Sequence, residues 1–189
     1  MPPKIKTSKE EVVCAAFEVA RRDGLSAITA QSVSKQLRTS VAPIFRVFQT
    51  VEDVKAAVVD YIEQYHISYL MHFSKGRSKF ISYGLAYISF AKEEPELFDA
   101  LINSNLLALN TVEKVVSHKL DFVVESAASI LHLEKEAAKE LFFQIWIYTH
   151  GIACLVSKKS IELTEDEITQ LLITAFESFK KTLPQGENE

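Results

Sequence analysis

The sequence has few of the residues on which tight turns depend: its 189 residues include five glycines and five prolines. Sheets with many hairpins need more of both, because glycine supplies left-handed backbone and proline pre-sets a turn angle. The scarcity therefore favours helices over a β-sandwich or barrel. Apolar residues at 48% and charged residues at 24% are typical of a globular chain with its own core.

Long apolar runs are also missing, since none approaches the roughly 20 residues that a membrane-spanning helix requires. The first residues, MPPKIKTSKEE, lack the apolar centre and the cleavage site of a signal peptide. We therefore expect a cytoplasmic protein without a membrane partner. The two cysteines, Cys14 and Cys154, lie in apolar helical stripes, and we expect buried free thiols.

Catalytic and metal-binding motifs are absent from the sequence. The five histidines show no metal-ligand spacing, and His66 and His72, six residues apart, fall on different faces of a helix. There is no glycine-rich phosphate loop or nucleophile elbow, and no Cys/His pair stands out. We expect no enzyme activity, no metal and no cofactor.

Charge is present but unevenly spread. Residues 1–55 carry nine Lys/Arg and six Asp/Glu, a net charge of +3, so the remaining residues carry −7 of the total of −4. A basic N-terminal part on an acidic body favours an anionic partner at the N-terminus only.

Capping signals divide the chain into about nine helices. Ser8 with Glu11 forms a capping box, and Gly24 ends the first helix. Thr29 and Ser40 cap two short helices, which places Pro43 at the third helical position, where its missing N–H costs nothing. The later helices are expected at about 50–73, 79–94, from Pro95, 112–131, 134–157 and from Thr164 to Pro184. The fold class is thus all-α.

The segment Thr29–Phe48 has the spacing of a helix-turn-helix, with a turn at residues 37–39. The second helix of such a motif enters the major groove of DNA. Val41, Ala42 and Pro43 suit thymine methyl groups, whereas Thr39, Ser40 and Arg46 suit phosphates or base edges.

Residues 8–61 resemble the TetR family of bacterial transcription regulators. The family pattern is matched by Gly24, Thr29, Val33-Ser34, Arg38-Thr39-Ser40, Ile44-Phe45-Arg46-Val47-Phe48 and Val51-Glu52-Asp53-Val54. The Pro-Ile-Phe of the third helix and the run Trp146-Ile-Tyr-Thr-His150-Gly151 look similar to one branch of that family. The resemblance implies a DNA-binding head at 1–54 and a ligand-binding and dimerisation body at 55–189, connected by a fourth helix at 51–73.

Four residues depart from the family pattern. Arg38 replaces the turn glycine, Phe45 replaces a tyrosine, Val47 replaces a phosphate-contacting residue, and Val51 replaces a lysine. Arg38 offers a compensating cation. The DNA-binding candidates are Thr29, Arg38, Thr39, Ser40, Val41, Ala42, Pro43, Phe45, Arg46 and Lys55, with Lys4 and Lys6 in the N-terminal arm.

The body carries aromatic residues at three- and four-residue steps. Such a stripe is typical of a plain core, but tyrosines within it need hydroxyl partners and also indicate a cavity with polar spots. Since the resemblance implies an inducer pocket here, the ligand-binding candidates are Tyr83, Tyr87, Phe90, Phe122, Trp146 and His150. The effector is expected to be small and hydrophobic.

The last two helices have wider apolar faces than a small body needs. The resemblance implies that they pair with a second copy as a four-helix bundle, through Phe143, Ile147, Ile168, Leu172, Phe176 and Phe179. A two-fold dimer also suits two recognition helices on half-sites of one operator.

The sequence therefore predicts a homodimeric regulator, usually a repressor, which binds a pseudo-palindromic double-stranded operator and is released by its effector. The alternative is a helical ligand-binding or adaptor protein whose DNA-binding head has decayed, and an enzyme built on the aromatic cavity comes third.

Overall fold

The structure, a computed structural model, describes residues 7–73, 79–103, 124–125, 128–129 and 131–183. These residues form eight α-helices and no strand, which confirms the predicted all-α fold. The helices are α1 (Lys9–Asp23), α2 (Ala30–Gln36), α3 (Ile44–Val47), α4 (Val51–His72), α5 (Lys79–Glu93), α6 (Pro95–Asn103), α7 (Lys135–Ser157) and α8 (Glu165–Thr182), with a 3₁₀ turn at Leu25–Ala27. Most of the helix predicted at 112–131 lies outside the described residues.

Side chains hold the starts of four helices in the manner that the sequence predicts. The Oγ atoms of Ser8, Thr29 and Thr164 each accept a hydrogen bond from the backbone N–H three residues on, and a reciprocal bond completes each capping box. Thr50 and Asp53 make the same exchange at α4, at 3.1 and 2.8 Å. Each box satisfies backbone N–H groups that have no partner within the helix.

The chain divides into two compact units. The first comprises residues 1–68 and 94–105, and the second comprises residues 69–93 and 106–189. The boundary expected at residue 54 falls inside α4, most of which belongs to the first unit. The first unit also takes in α6, a helix from the part of the chain assigned to the body.

The core of the first unit is built around α1, which contacts α2, α3 and α6. Helix α1 buries one face, made by Val12, Ala15, Ala16, Phe17, Val19 and Ala20. From α4, the rings of Tyr61 and Tyr65 meet Phe17 edge-on at 5.0 and 5.3 Å. Cys14 on the same helix is exposed, so its expected burial is wrong: it lies outside the buried face.

A buried carboxylate joins three segments of the first unit. The side chain of Glu94, only 8% exposed, accepts hydrogen bonds from Nε and Nη2 of Arg21, the former at 2.8 Å. It also accepts one from the hydroxyl of Tyr65 at 3.3 Å. The hydrogen bond to Glu94 raises the pKa of Arg21. Glu94 directly precedes Pro95, so these bonds tie the start of α6 to α1 and α4.

In the second unit, α5, α7 and α8 pack together. Leu141, Ile145, Ala175 and Leu183 form a buried cluster between α7 and the end of α8. Gly84 packs closely on Leu172: a Cβ placed on Gly84 would lie 2.9 Å from Cδ1 of Leu172, so the leucine side chain would have to shift. Leu172 therefore belongs to the core of this unit.

The Arg21–Glu94 pair yields a stability test. For Arg21→Ala we expect the free energy of unfolding to fall by about 2 kcal/mol, because a buried carboxylate loses its cation. That is less than for a fully buried pair, since 43% of the Arg21 side chain is exposed. The matched control is Arg22→Ala, whose partner Asp23 is exposed, and it should cost under about 1 kcal/mol. Equal losses in urea titrations would show that Glu94 needs no cation.

Candidate nucleic-acid interface and aromatic cluster

The candidate nucleic-acid interface is the segment from Thr29 to Phe48 in the first unit. Thr29 is the N-cap of α2, and its hydroxyl accepts the N–H of Ser32 at 3.0 Å. On the inner side, Val33, Ile44 and Phe48 are buried. These three anchors fix α2 and α3 on the core of the unit, and residues 38–40, 42, 45 and 46 lie exposed between them.

The turn after α2 is a Schellman motif with arginine in the position that glycine usually takes. Arg38 has φ +54°, in the left-handed region. The N–H of Arg38 bonds to the carbonyl of Lys35 at 3.2 Å, and that of Thr39 to the carbonyl of Ser34 at 3.0 Å. These two bonds define the motif. The turn therefore forms with arginine in place of the usual glycine, although a left-handed backbone is less favourable for arginine.

Helix α3 starts later than predicted, and the expected cap at Ser40 is wrong. Pro43 directly precedes the helix, in a helical conformation with φ −59°, and no side chain caps it. The N–H of Ile44 instead bonds to the carbonyl of Val41 at 3.1 Å, so a turn at 41–44 leads into the helix. Proline suits this place because its fixed φ is already helical and no N–H is needed there.

Most of the DNA-binding candidates are accessible. Thr29, Arg38, Thr39, Ser40, Ala42, Phe45 and Arg46 are exposed, whereas Val41, Pro43 and Lys55 are partly exposed. Lys4 and Lys6 lie outside the described residues. Phe45 is 47% exposed, a large apolar surface in a short helix. Lys55 lies 3.7 Å from Oε1 of Glu52 on its own helix, so part of its charge is compensated.

Sequence reasoning missed a polar depression beside the turn. It has a volume of about 580 Å³ and is lined by Arg22, Asp23, Ser32, Lys35, Gln36 and Arg38. Arg22 is paired with Asp23 at 2.7 Å, so Lys35 and Arg38 carry the net positive charge. The signal for it in the sequence was the three-residue spacing of Lys35 and Arg38, which brings two cations to one side of the chain.

The second unit holds a cluster of aromatic side chains between α5 and α7. The hydroxyl of Tyr87 lies 2.9 Å from Nδ1 of His150. Trp146 stacks on the His150 ring at 5.1 Å, and Phe143 stacks on Trp146 at 6.4 Å. Burial raises the pKa of Tyr87 and lowers that of His150, so both side chains stay neutral near pH 7.

The cluster includes Cys154, which sequence reasoning did not connect to His150. Its Sγ atom lies 3.4 Å from Nε2 of His150, and the side chain is partly exposed. The expected full burial of this thiol is therefore wrong. The four-residue step from His150 to Cys154 on one helix was the available signal.

The other ligand-binding candidates are not part of these contacts. The hydroxyl of Tyr83 lies 3.8 Å from Sδ of Met71. Phe90 is fully buried and meets the Tyr69 ring edge-on at 5.3 Å, as a core residue does. Phe122 lies outside the described residues.

The predicted dimer contacts fall into two groups. Ile168 and Leu172 are buried within the chain itself, so their assignment to an interface is corrected to the core. Phe176 and Phe179 are partly buried against the α7–α8 cluster, and Phe143 is partly exposed. Ile147 is 51% exposed, and Leu155, two turns further on α7, is 46% exposed. These two are the exposed large apolar side chains of α7.

No family model matches the chain, and no curated protein is similar to it. Among the described residues, no helix is long and apolar enough to cross a membrane. The same residues contain no group of three or more His, Cys, Asp or Glu side chains that could hold a metal ion.

The left-handed turn yields a second stability test. For Arg38→Gly we expect a gain of about 1 kcal/mol in the free energy of unfolding, because glycine removes the Cβ strain at φ +54°. The matched control is Lys35→Gly, one turn earlier and inside α2, which should lose about 1 kcal/mol. Thermal and urea unfolding measure both variants. A loss in Arg38→Gly similar to the control's would contradict a strained turn.

Proposed function

We propose that this chain is a DNA-binding transcription regulator of the kind that the resemblance implies, and that its head binds an operator through α2 and α3. The observation that carries the proposal is the turn at Arg38. It separates two short helices anchored on one core and leaves residues 38–40, 42, 45 and 46 exposed together along one stretch of chain. This arrangement suits a helix-turn-helix.

The chemistry of the exposed stretch fits a duplex. Arg38, Arg46 and Lys35 supply cations for phosphates, and Thr39 and Ser40 supply hydroxyl groups. Ala42 and Phe45 present apolar surface that suits thymine methyl groups in the major groove. Phe45 is 47% exposed, so its ring is accessible to such a partner.

The protein acts as a homodimer in this proposal, since two heads related by a two-fold axis match the two halves of an operator. The exposed Ile147 and Leu155 on one face of α7 support a contact between two copies.

The aromatic cluster of Tyr87, Trp146 and His150 supports the ligand-binding half of the proposal. It offers stacked rings with a few polar atoms, the usual make-up of a site for a small hydrophobic molecule. An effector that releases DNA must bind the free protein more tightly than the DNA-bound protein, because the coupling between two ligands is reciprocal. The regulator is then a repressor.

The second candidate function is a helical ligand-binding or adaptor protein with a decayed head. It is favoured by Phe45, Val47 and Val51, which cannot donate hydrogen bonds to phosphates from their side chains. The two functions are distinguished by DNA binding: only the regulator binds a DNA duplex with an affinity that falls as the salt concentration rises.

The DNA test begins with selection of duplexes from a random pool, followed by fluorescence anisotropy on the enriched sequence across a salt series. We expect Arg46→Ala to weaken binding about 10-fold and to lower the salt slope by about 1, because one cation leaves the interface. The matched control, Lys181→Ala, removes an exposed cation from α8 and should change neither quantity. No enriched sequence, or no salt slope, would support the decayed head.

The dimer test uses light scattering after size exclusion. We expect the native chain at the mass of two copies and Ile147→Glu at the mass of one, because a charge would enter an apolar contact. The matched control is Ile67→Glu on α4 of the first unit, an isoleucine that is 36% exposed, which should leave the dimer intact. A native chain at the mass of one copy would contradict the homodimer.

A further inference from the structure

Three side chains of the second unit form a hydrogen-bonded chain that the proposed DNA-binding function does not use. It runs from Tyr87 on α5 through His150 to Cys154, with distances of 2.9 Å to Nδ1 and 3.4 Å to Nε2. Both ring nitrogens of His150 thus have a partner, and Trp146 stacks on the ring face. These contacts fix the orientation of the imidazole ring, with Nε2 directed at the thiol of Cys154.

The geometry allows His150 to take the proton of Cys154. A neutral imidazole has one donor and one acceptor nitrogen. When Nδ1–H donates to the oxygen of Tyr87, Nε2 is the acceptor nitrogen and faces the thiol at 3.4 Å. Burial lowers the pKa of His150, so the ring is neutral before reaction. Burial raises the pKa of Tyr87, so the phenol oxygen stays a neutral acceptor. The thiolate is the nucleophilic form of cysteine, and a neutral imidazole within hydrogen-bond distance of the thiol can take its proton as the new bond to sulfur forms.

The second cysteine of the chain provides an internal comparison. Cys14 is exposed on α1, in the first unit, and lies beside the hydroxyl of Tyr61. A protonated phenol is a far weaker base than an imidazole, so Cys14 should react as an ordinary thiol. Exposure alone would make Cys14 the faster of the two, whereas activation by a base would favour Cys154.

We propose that Cys154 is a reactive thiol that captures a small conjugated electrophile, of the α,β-unsaturated carbonyl class, beside Trp146. The stacked rings of Phe143 and Trp146 adjoin His150 and offer apolar surface to a flat conjugated molecule. This inference rests on the proposed function in one respect: it names the chemical class of the effector expected at the aromatic cluster.

The reaction balances without an oxidant or reductant. Nε2 of His150 takes the thiol proton, and the sulfur electron pair forms a C–S bond to the β-carbon of the electrophile. The carbon–carbon π pair moves toward the carbonyl as an enolate. The imidazolium then returns its proton to the α-carbon, which leaves a thioether and a neutral His150.

The experiment measures adduct formation with 2-cyclohexenone by intact-protein mass spectrometry. Cys14→Ser and Cys154→Ser each leave one thiol, because the chain has two cysteines. We expect the Cys14→Ser chain to form its single adduct at least about 10-fold faster than the Cys154→Ser chain. Adding His150→Gln to Cys14→Ser should remove that advantage, with circular dichroism to check the fold. Should this variant unfold, the comparison of the two single-thiol chains still decides.

Two outcomes overturn the proposal: Cys154 reacts no faster than Cys14, or folded His150→Gln leaves its rate unchanged. DNA binding is measured separately, by anisotropy of the Cys14→Ser chain before and after adduct formation. Fast Cys154 chemistry without any DNA binding would refute the regulator and keep the reactive thiol. Salt-dependent DNA binding with a slow Cys154 would refute the thiol and keep the regulator.

Discussion

Satisfying the backbone groups at helix ends is the constraint on which this structure depends. Each α-helix leaves N–H groups at its start and carbonyls at its end without internal partners. With five glycines, the chain closes several ends by other means. Arg38, His132 and Lys159 adopt φ of 54°, 53° and 54°. After each, the next N–H bonds to a carbonyl five residues back, at 2.9–3.0 Å. Because these ends are fixed, helices as short as α2 and α3 keep their positions.

The second requirement is a partner for buried charge. Glu94 is buried at the start of α6, and a carboxylate there would be costly without Arg21 and Tyr65. The pair explains why a helix distant in sequence belongs to the first unit. The first unit therefore extends beyond residues 1–54, because it includes α6 and most of α4.

The two candidate sites differ in what supports them. The nucleic-acid interface rests on backbone geometry, with a left-handed turn and exposed polar residues whose order in the chain suits a duplex. The aromatic cluster rests on side-chain contacts between α5 and α7, with His150 bonded on both nitrogens. The proposed function assigns DNA binding to the first site and effector binding to the second.

Much of the fold could be predicted from local signals. The capping box at Ser8, the cap at Thr29 and the stop at Gly24 are confirmed, because each involves residues within about one turn of one another. The predicted cap at Ser40 was wrong because the local pattern there is compatible with more than one helix start. A serine three residues before a proline is compatible with a cap, but the N–H of Ile44 bonds to Val41 instead.

The sequence by itself determined the described helices and, except for α3, their approximate starts, since these depend on neighbours in the chain. Only the tertiary structure decided which apolar faces are internal. Ile168 and Leu172 look like interface residues in a helical pattern, yet they fill the core of the second unit. It also decided that His150 meets Tyr87, because a contact across 63 residues depends on how α5 packs on α7. Local periodicity carries no information about that packing.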